Sequence, residues 1–329
     1  MTAGARAFRS KVLRQRTATH SPGLASDAAL MTSGDVFALG PGLVGLRGDV
    51  LGLYRFFEHT FLALARRFGA EDCHYPVILP AAILEDVGYF GHFPQHVTLC
   101  SHFPDDLPLL EEVARDAAAH AGAISTPLRQ RLEPATHALA PAVCLPCYPQ
   151  HRGRVIPTGQ PTAVTMQNHV FRRETGGYQS LSRLWDFQVR DLVVMGSYAD
   201  LVDLRQAVMD AAMELCQALD LTARLELAND PFFLDPSAHK AVYQRLGEVK
   251  YELVLPIAHR GIDLAVSSFN LHRTFYASVY NIRQAGGELA ETACMGFGLE
   301  RWVYGFLGQK GLDRRDWPAP VAAWFARSC

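Results

Sequence analysis

Apolar residues recur at helical spacing over residues 47–68, with Leu51, Tyr54, Phe57, Phe61, Leu64 and Phe68 on one stripe and Gly69 as a stop. An apolar strand broken by Pro76 and Pro80 follows over 71–80. A second helix is expected over 107–122 and a short one over 133–139. Residues 140–150, APAVCLPCYPQ, carry too many prolines for a regular helix. Residues 169–197 read as a strand, a polar glycine-bearing loop and a returning strand, and 198–219 as a strongly amphipathic helix. Four stretches, 223–228, 248–257, 263–270 and 275–282, alternate as strands do. Runs of strands with few intervening helices predict an α+β plan, an antiparallel sheet flanked by helices. Neither repeat nor linker is visible, so 35–329 reads as one domain.

Composition narrows the class. With 329 residues, 49% of them hydrophobic, and a net charge of −2, the chain can bury a real core and reads as a soluble globular protein. It lacks the basic excess of a nonspecific nucleic-acid binder. No apolar run approaches the roughly 18 residues of a membrane span. Seven scattered cysteines, an odd number, are unlike a disulfide framework, which points to a reducing, cytoplasmic compartment. Residues 1–34 hold five basic residues before the first acid, Asp27. That pattern suits a transit peptide or a disordered tail; the thin apolar face favours the tail.

The hairpin carries the first chemistry. Arg172 and Glu174 lie two apart, on one face of a strand, and Gly176 and Gly177 permit a reversal. Trp185, Phe187, Val189 and Asp191 share a face of the return strand. A guanidinium for a phosphate, a carboxylate for an exocyclic amine and a ring for a base suit a nucleotide. Charges on a hairpin are also commonly just its solvated face. Near the other end, residues 294–307 place Gly296 and Gly298 before Arg301, which would lie on the first turn of an apolar helix. Together these stretches resemble motifs 2 and 3 of the class II aminoacyl-tRNA synthetases, and the helix with its proline-bearing strand resembles motif 1. In that family motif 1 forms the dimer interface, so the resemblance implies a homodimer.

Cys144 and Cys147 form a C-x-x-C. A structural zinc site would want a second such pair, and a redox motif would open a helix. Alternatively one cysteine joins distant partners: Cys294, on a strand expected beside the hairpin, and Asp191 on its inner face. Two thiolates and a carboxylate would leave zinc one open position. Free cysteines are also often small buried hydrophobes.

A narrower resemblance covers about residues 35–310. FGHFPQH (90–96), PAVCLPCYP (141–149), NDPFF (229–233), KYELVLPI (250–257), SFNLH (268–272) and CMGFGLER (294–301) are similar to the amino acid:[carrier protein] ligases, truncated homologues of the methanogenic-type seryl-tRNA synthetases. The resemblance implies zinc held by Cys144, Asp191 and Cys294, with Asp191 standing where the family has glutamate. It implies Arg172 on the α-phosphate, Glu174 on the adenine amine, Phe187 under the base and Arg301 on the γ-phosphate. It also places Arg183, Leu184, Lys250, Ala265, Val266 and Ser267 at ATP, and Asp191 and Asn270 at the amino acid. Seryl-tRNA synthetases carry a magnesium-binding glutamate where this chain has Leu264-Ala265, with Asp263 adjacent.

The function implied is ATP-dependent activation of a small amino acid and its transfer to the phosphopantetheine thiol of a carrier protein. Arg172 and Arg301 would act on the transition state, with ATP, Mg²⁺ and Zn²⁺ as cofactors. A seryl-like aminoacyl-tRNA synthetase is the alternative, but no basic appendage is evident to grip tRNA. A non-catalytic paralogue is the third, against which the intact Arg172, Glu174 and Arg301 would be surplus to a binder.

Overall fold

The computed structural model describes residues 11–174, 177–228 and 250–327. Its centre is an eight-stranded sheet: β1 (Val12–Arg16), β2 (Glu71–Asp72), β3 (Thr162–Phe171), β4 (Asp186–Gly196), β5 (Ala223–Leu227), β6 (Lys250–Ile257), β7 (Ile262–Arg273) and β8 (Glu291–Gly298). The spatial order is β1-β5-β6-β7-β8-β4-β3-β2, antiparallel throughout except for the parallel β2–β3 edge. The expected α+β plan is therefore the observed one.

Helices α1 (Gly48–Arg67), α2 (Leu107–Ala119), α3 (Tyr198–Ala218) and α4 (Leu299–Lys310) stand close to their predicted positions. The strands present Leu192, Val194, Leu253, Leu255, Phe269, Met295 and Phe297 to one face, where they join α1, α3 and α4 in the main core. Phe61 of α1 stacks on Phe297 at 4.5 Å, and Phe57 meets Trp302 of α4 at 5.4 Å. A second buried cluster lies at the end of the opposite face, where Val193, Met195 and Cys294 meet Leu145, Tyr148, Tyr280 and Ile282. No helix among the described residues is long and apolar enough to cross a membrane.

Three local expectations are corrected. Residues 11–34 of the expected tail are built into the fold: β1 pairs with β5, and Asp27–Thr32 is helical with Ser26 as its cap. Arg16 donates to the Leu221 carbonyl (2.8 Å), and Thr19 and His20 donate their N–H groups to the Asp220 carboxylate (2.9 and 3.0 Å). Residues 1–10 lie outside the described residues. The expected helix over 133–139 is instead the strand His137–Leu139, between Ile78–Pro80 and Leu99–Cys100. Residues 275–282, read as a strand, hold the helix Phe275–Tyr280, which stops at Asn281 in the left-handed region (φ 54°). Its buried residues, Ala277 and Tyr280, are three apart, a helical spacing, but so short and mostly apolar a run can also be read as strand alternation. Gly176 and the 229–233 segment lie outside the described residues.

Candidate active site

The face of the sheet opposite the main core floors a cleft of about 350 Å³. Register explains its composition. Asp191 of β4 stands opposite Gly296 of β8, Gly296 opposite Ser268 of β7, and Ser268 opposite Glu252 of β6. One pair along, Cys294, Asn270 and Lys250 form the next row. Side chains two apart on a strand share a face, so Phe187, Val189 and Asp191 all line the same hollow. Gly296 has a steric reason: a Cβ there would lie 2.8 Å from Asp191 Oδ1 and 3.4 Å from Ser268 Oγ.

At one end the irregular 140–150 segment brings Cys144 to Asp191 and Cys294. A donor atom of each lies within 4.8 Å of the others. The three are 5–7% exposed. Burial pushes the Asp191 carboxyl up to about 6, partly offset by Cys294 and Arg172. The hydrogen bond to Cys144 and burial push the Cys294 thiol well above its ordinary value. Groups that resist ionisation in a shared buried site are what a bound dication would reverse. Two sulfurs and one carboxylate oxygen are a zinc-type donor set with room for a fourth ligand. Cys147 is outside this group: it is fully buried, its sulfur 3.9 Å from His151 Nδ1, and burial raises its thiol to about 12. The C-x-x-C thus divides between two surroundings.

Two guanidinium groups frame the rest of the cleft. Arg172 donates Nε–H to the Pro141 carbonyl (2.8 Å) and lies 5.7 Å from the Phe187 ring centre. Arg301, just inside α4, donates to the carbonyls of Ser182 (3.0 Å) and Ala265 (3.1 Å). Neither has a carboxylate within 4.0 Å among the described residues. Burial, then the like charge of Arg172, lowers the Arg301 pKa. Such a pair favours a multiply charged anion between them. A narrower recess opens beside it, lined by Glu174, Arg183, Leu184, Phe187 and Gly298.

Cys144, Arg172, Glu174, Phe187, Asp191, Lys250, Ala265, Val266, Ser267, Asn270, Cys294 and Arg301 all line the one cleft, and Arg183 and Leu184 line the adjoining recess. Arg172 and Glu174 lie just past the end of β3 rather than on it. Ser267 differs in what it offers, since its hydroxyl accepts the Trp302 indole N–H (2.9 Å) from the other face. Sequence reasoning missed Glu252, His272 and Tyr276 as lining residues. Lys250 and Glu252 lie two apart on a strand, a signal for Glu252 that was available. Tyr276 was hidden by the strand reading; it stacks on Tyr148 with ring centres 3.8 Å apart.

No protein-family model matches the chain. The chain is 33% identical over 258 residues to amino acid–[acyl-carrier-protein] ligase 1 of Bradyrhizobium diazoefficiens, covering 78% of this chain and 76% of that protein. It is 27% identical over 274 residues to the type-2 serine–tRNA ligase of Methanothermobacter thermautotrophicus, covering 82% of this chain but 53% of that protein. It thus spans about half the length of that relative. Among solved structures, M. kandleri seryl-tRNA synthetase, determined in complex with A. aeolicus tRNASec, superposes with a TM-score of 0.86 at 21% identity, over 96% of this chain and 63% of that one. The shared fold is that of the class II aminoacyl-tRNA synthetase catalytic domain. With a third of the aligned residues identical across three quarters of a named ligase, the chain belongs to the amino acid–[acyl-carrier-protein] ligase family.

Proposed function

We propose that this protein activates a small amino acid with ATP as the aminoacyl-adenylate and transfers it to the phosphopantetheine thiol of a carrier protein. One observation carries the reading: the Cys144–Asp191–Cys294 cluster and the Arg172–Arg301 pair share one cleft. The first group would orient an amine, the second a triphosphate.

Zinc held by Cys144, Asp191 and Cys294 would supply an open coordination position for the substrate amine, and magnesium would neutralise the triphosphate. This chain's own residues do the remainder. Glu174 accepts from the adenine amine while Phe187 supports the base, with Leu184 and Arg183 closing the recess. Arg172 draws charge from the α-phosphate as the substrate carboxylate oxygen attacks phosphorus and the bond to the bridging oxygen breaks. Arg301 and Lys250 hold the departing pyrophosphate. No general base is needed, because the nucleophile is already ionised. Asn270, whose amide donates to Ser268 Oγ (3.2 Å), stands across from Cys294 and positions the amino acid. In the second step the thiol sulfur attacks the carbonyl carbon, AMP leaves and the thiol proton passes to solvent.

Tyr276 on Tyr148 forms a rigid wall beside the cluster and supports a preference for small side chains. Ile78 and Leu99, about half exposed on the small sheet, support a homodimer through the motif 1 region. Six free cysteines among the described residues support a reducing, cytoplasmic setting. Pyrophosphate exchange across a panel of amino acids, followed by mass spectrometry of candidate carriers, tests the reading. Exchange with a small amino acid and labelling of a carrier is the expected result.

A further inference from the structure

We propose that Glu252 is the carboxylate through which this chain holds the magnesium ion of its bound nucleotide. The assignment rests on the nucleotide reading above and deepens it.

Magnesium keeps several waters and is usually held by one or two carboxylates together with substrate phosphates. The acid nearest in sequence to the expected position, Asp263, is unsuited. Its carboxylate pairs with Arg224 at 2.6 Å, its side chain is 52% exposed, and it is absent from the cleft lining. Three carboxylates do line the cleft: Glu174, Asp191 and Glu252. Asp191 is buried among two sulfurs, a soft donor set that suits zinc and not magnesium. Glu174 also lines the narrow recess with Leu184 and Phe187. Glu252 remains.

Its place in the sheet fits. Glu252 ends the row Asp191–Gly296–Ser268–Glu252, three strand spacings from Asp191, or roughly 14 Å. It therefore marks a second cation position, separate from the cluster. Lys250 Nζ lies 3.3 Å from Glu252, and the charge of Glu252 is felt at Arg301. An acid placed among the cations of a triphosphate site repels the ligand unless a cation intervenes. Its side chain is 26% exposed, which leaves room for a hydrated ion. The bland alternative, an acid that only fixes Lys250, predicts no dependence on the metal.

The test is the affinity of the purified full chain for a non-hydrolysable ATP analogue, measured by calorimetry with and without Mg²⁺. Bound Mn²⁺ counted by electron paramagnetic resonance is the second readout. The unaltered protein should bind the analogue more tightly with Mg²⁺. Glu252→Gln should lose about tenfold or more of that gain, the scale seen when a metal's surroundings are disturbed. Its metal-free affinity should hold or rise, since a repelling charge is gone. Asp263→Asn should keep the full gain. A full magnesium gain in Glu252→Gln, or its loss in Asp263→Asn, overturns the assignment, as does analogue binding by the unaltered protein that ignores Mg²⁺. If the unaltered protein binds no nucleotide at all, the nucleotide reading fails and this assignment falls with it.

Discussion

Gly296 stands directly across from Asp191 on the neighbouring strand, and its missing side chain leaves the space that the Asp191 carboxylate occupies. A methyl group there would lie 2.8 Å from Oδ1, so Gly296→Ala must displace the carboxylate from Cys144 and Cys294. Metal analysis of the purified protein should find about one zinc per chain, as for a three-ligand site with an open position. Gly296→Ala should carry much less, and the Cys144→Ser, Cys294→Ser double variant almost none. Full occupancy in the double variant would remove the metal assignment.

In the proposed reaction Arg172 and Arg301, which both line the cleft, would act on charge that develops during activation. Replacing either by alanine should slow amino-acid-dependent pyrophosphate exchange by about two to three orders of magnitude, the cost of one strong transition-state contact. Both side chains are anchored to backbone carbonyls, so lysine should restore little at either position. Near-normal exchange in either alanine variant would contradict their roles.

Tyr276 should set substrate size. Tyr276→Ala opens the wall stacked on Tyr148, so larger amino acids should gain exchange activity relative to small ones. The ratio of kcat/KM between a large and a small amino acid is the readout. An unchanged ratio with intact activity would place the side-chain pocket elsewhere.

Glu300 gives the fold a pH dependence. Burial pushes its carboxyl up to about 7 from an ordinary 4.5, against the opposing Gln188 N–H (2.8 Å). The folded protein thus holds this proton more tightly than the unfolded chain. Its contribution is complete below about pH 4.5 and is lost as pH rises through about 7. Glu300→Gln should remove that loss, at most about 3 kcal/mol between the two pH limits. Urea denaturation of both proteins from pH 4.5 to 7.5 measures it, and parallel pH profiles would show that Glu300 does not titrate as described.

Much of the site was legible because its parts are local. Phe187 and Asp191 follow strand period, and the glycines before Arg301 mark a strand-to-helix turn, whereas Arg172 and Glu174, just past the end of β3, stood out only through the resemblance to the class II motifs. Glu252 was overlooked although its strand period with Lys250 offered the signal. Asp263 was harder, because it lies past the register shift at Leu253/Val254 where β6 meets β7, and such a shift depends on the paired strand and leaves little local trace. The strand β1 was missed for a related reason: VLRQR is polar and mostly exposed, and what orders it is a partner some 200 residues away. Tyr276 was missed because the short, mostly apolar run FYASVY fits either period.

The acceptor decides the central claim. Both class II readings share the adenylate, but a ribose hydroxyl on tRNA and a pantetheine thiol leave different covalent products. The decisive measurement is mass spectrometry of a carrier protein incubated with this enzyme, ATP and a small amino acid, with total tRNA charging run in parallel. The account predicts an aminoacyl thioester on the holo carrier, absent on the apo form and released by hydroxylamine. Efficient charging of tRNA with no labelled carrier would contradict it.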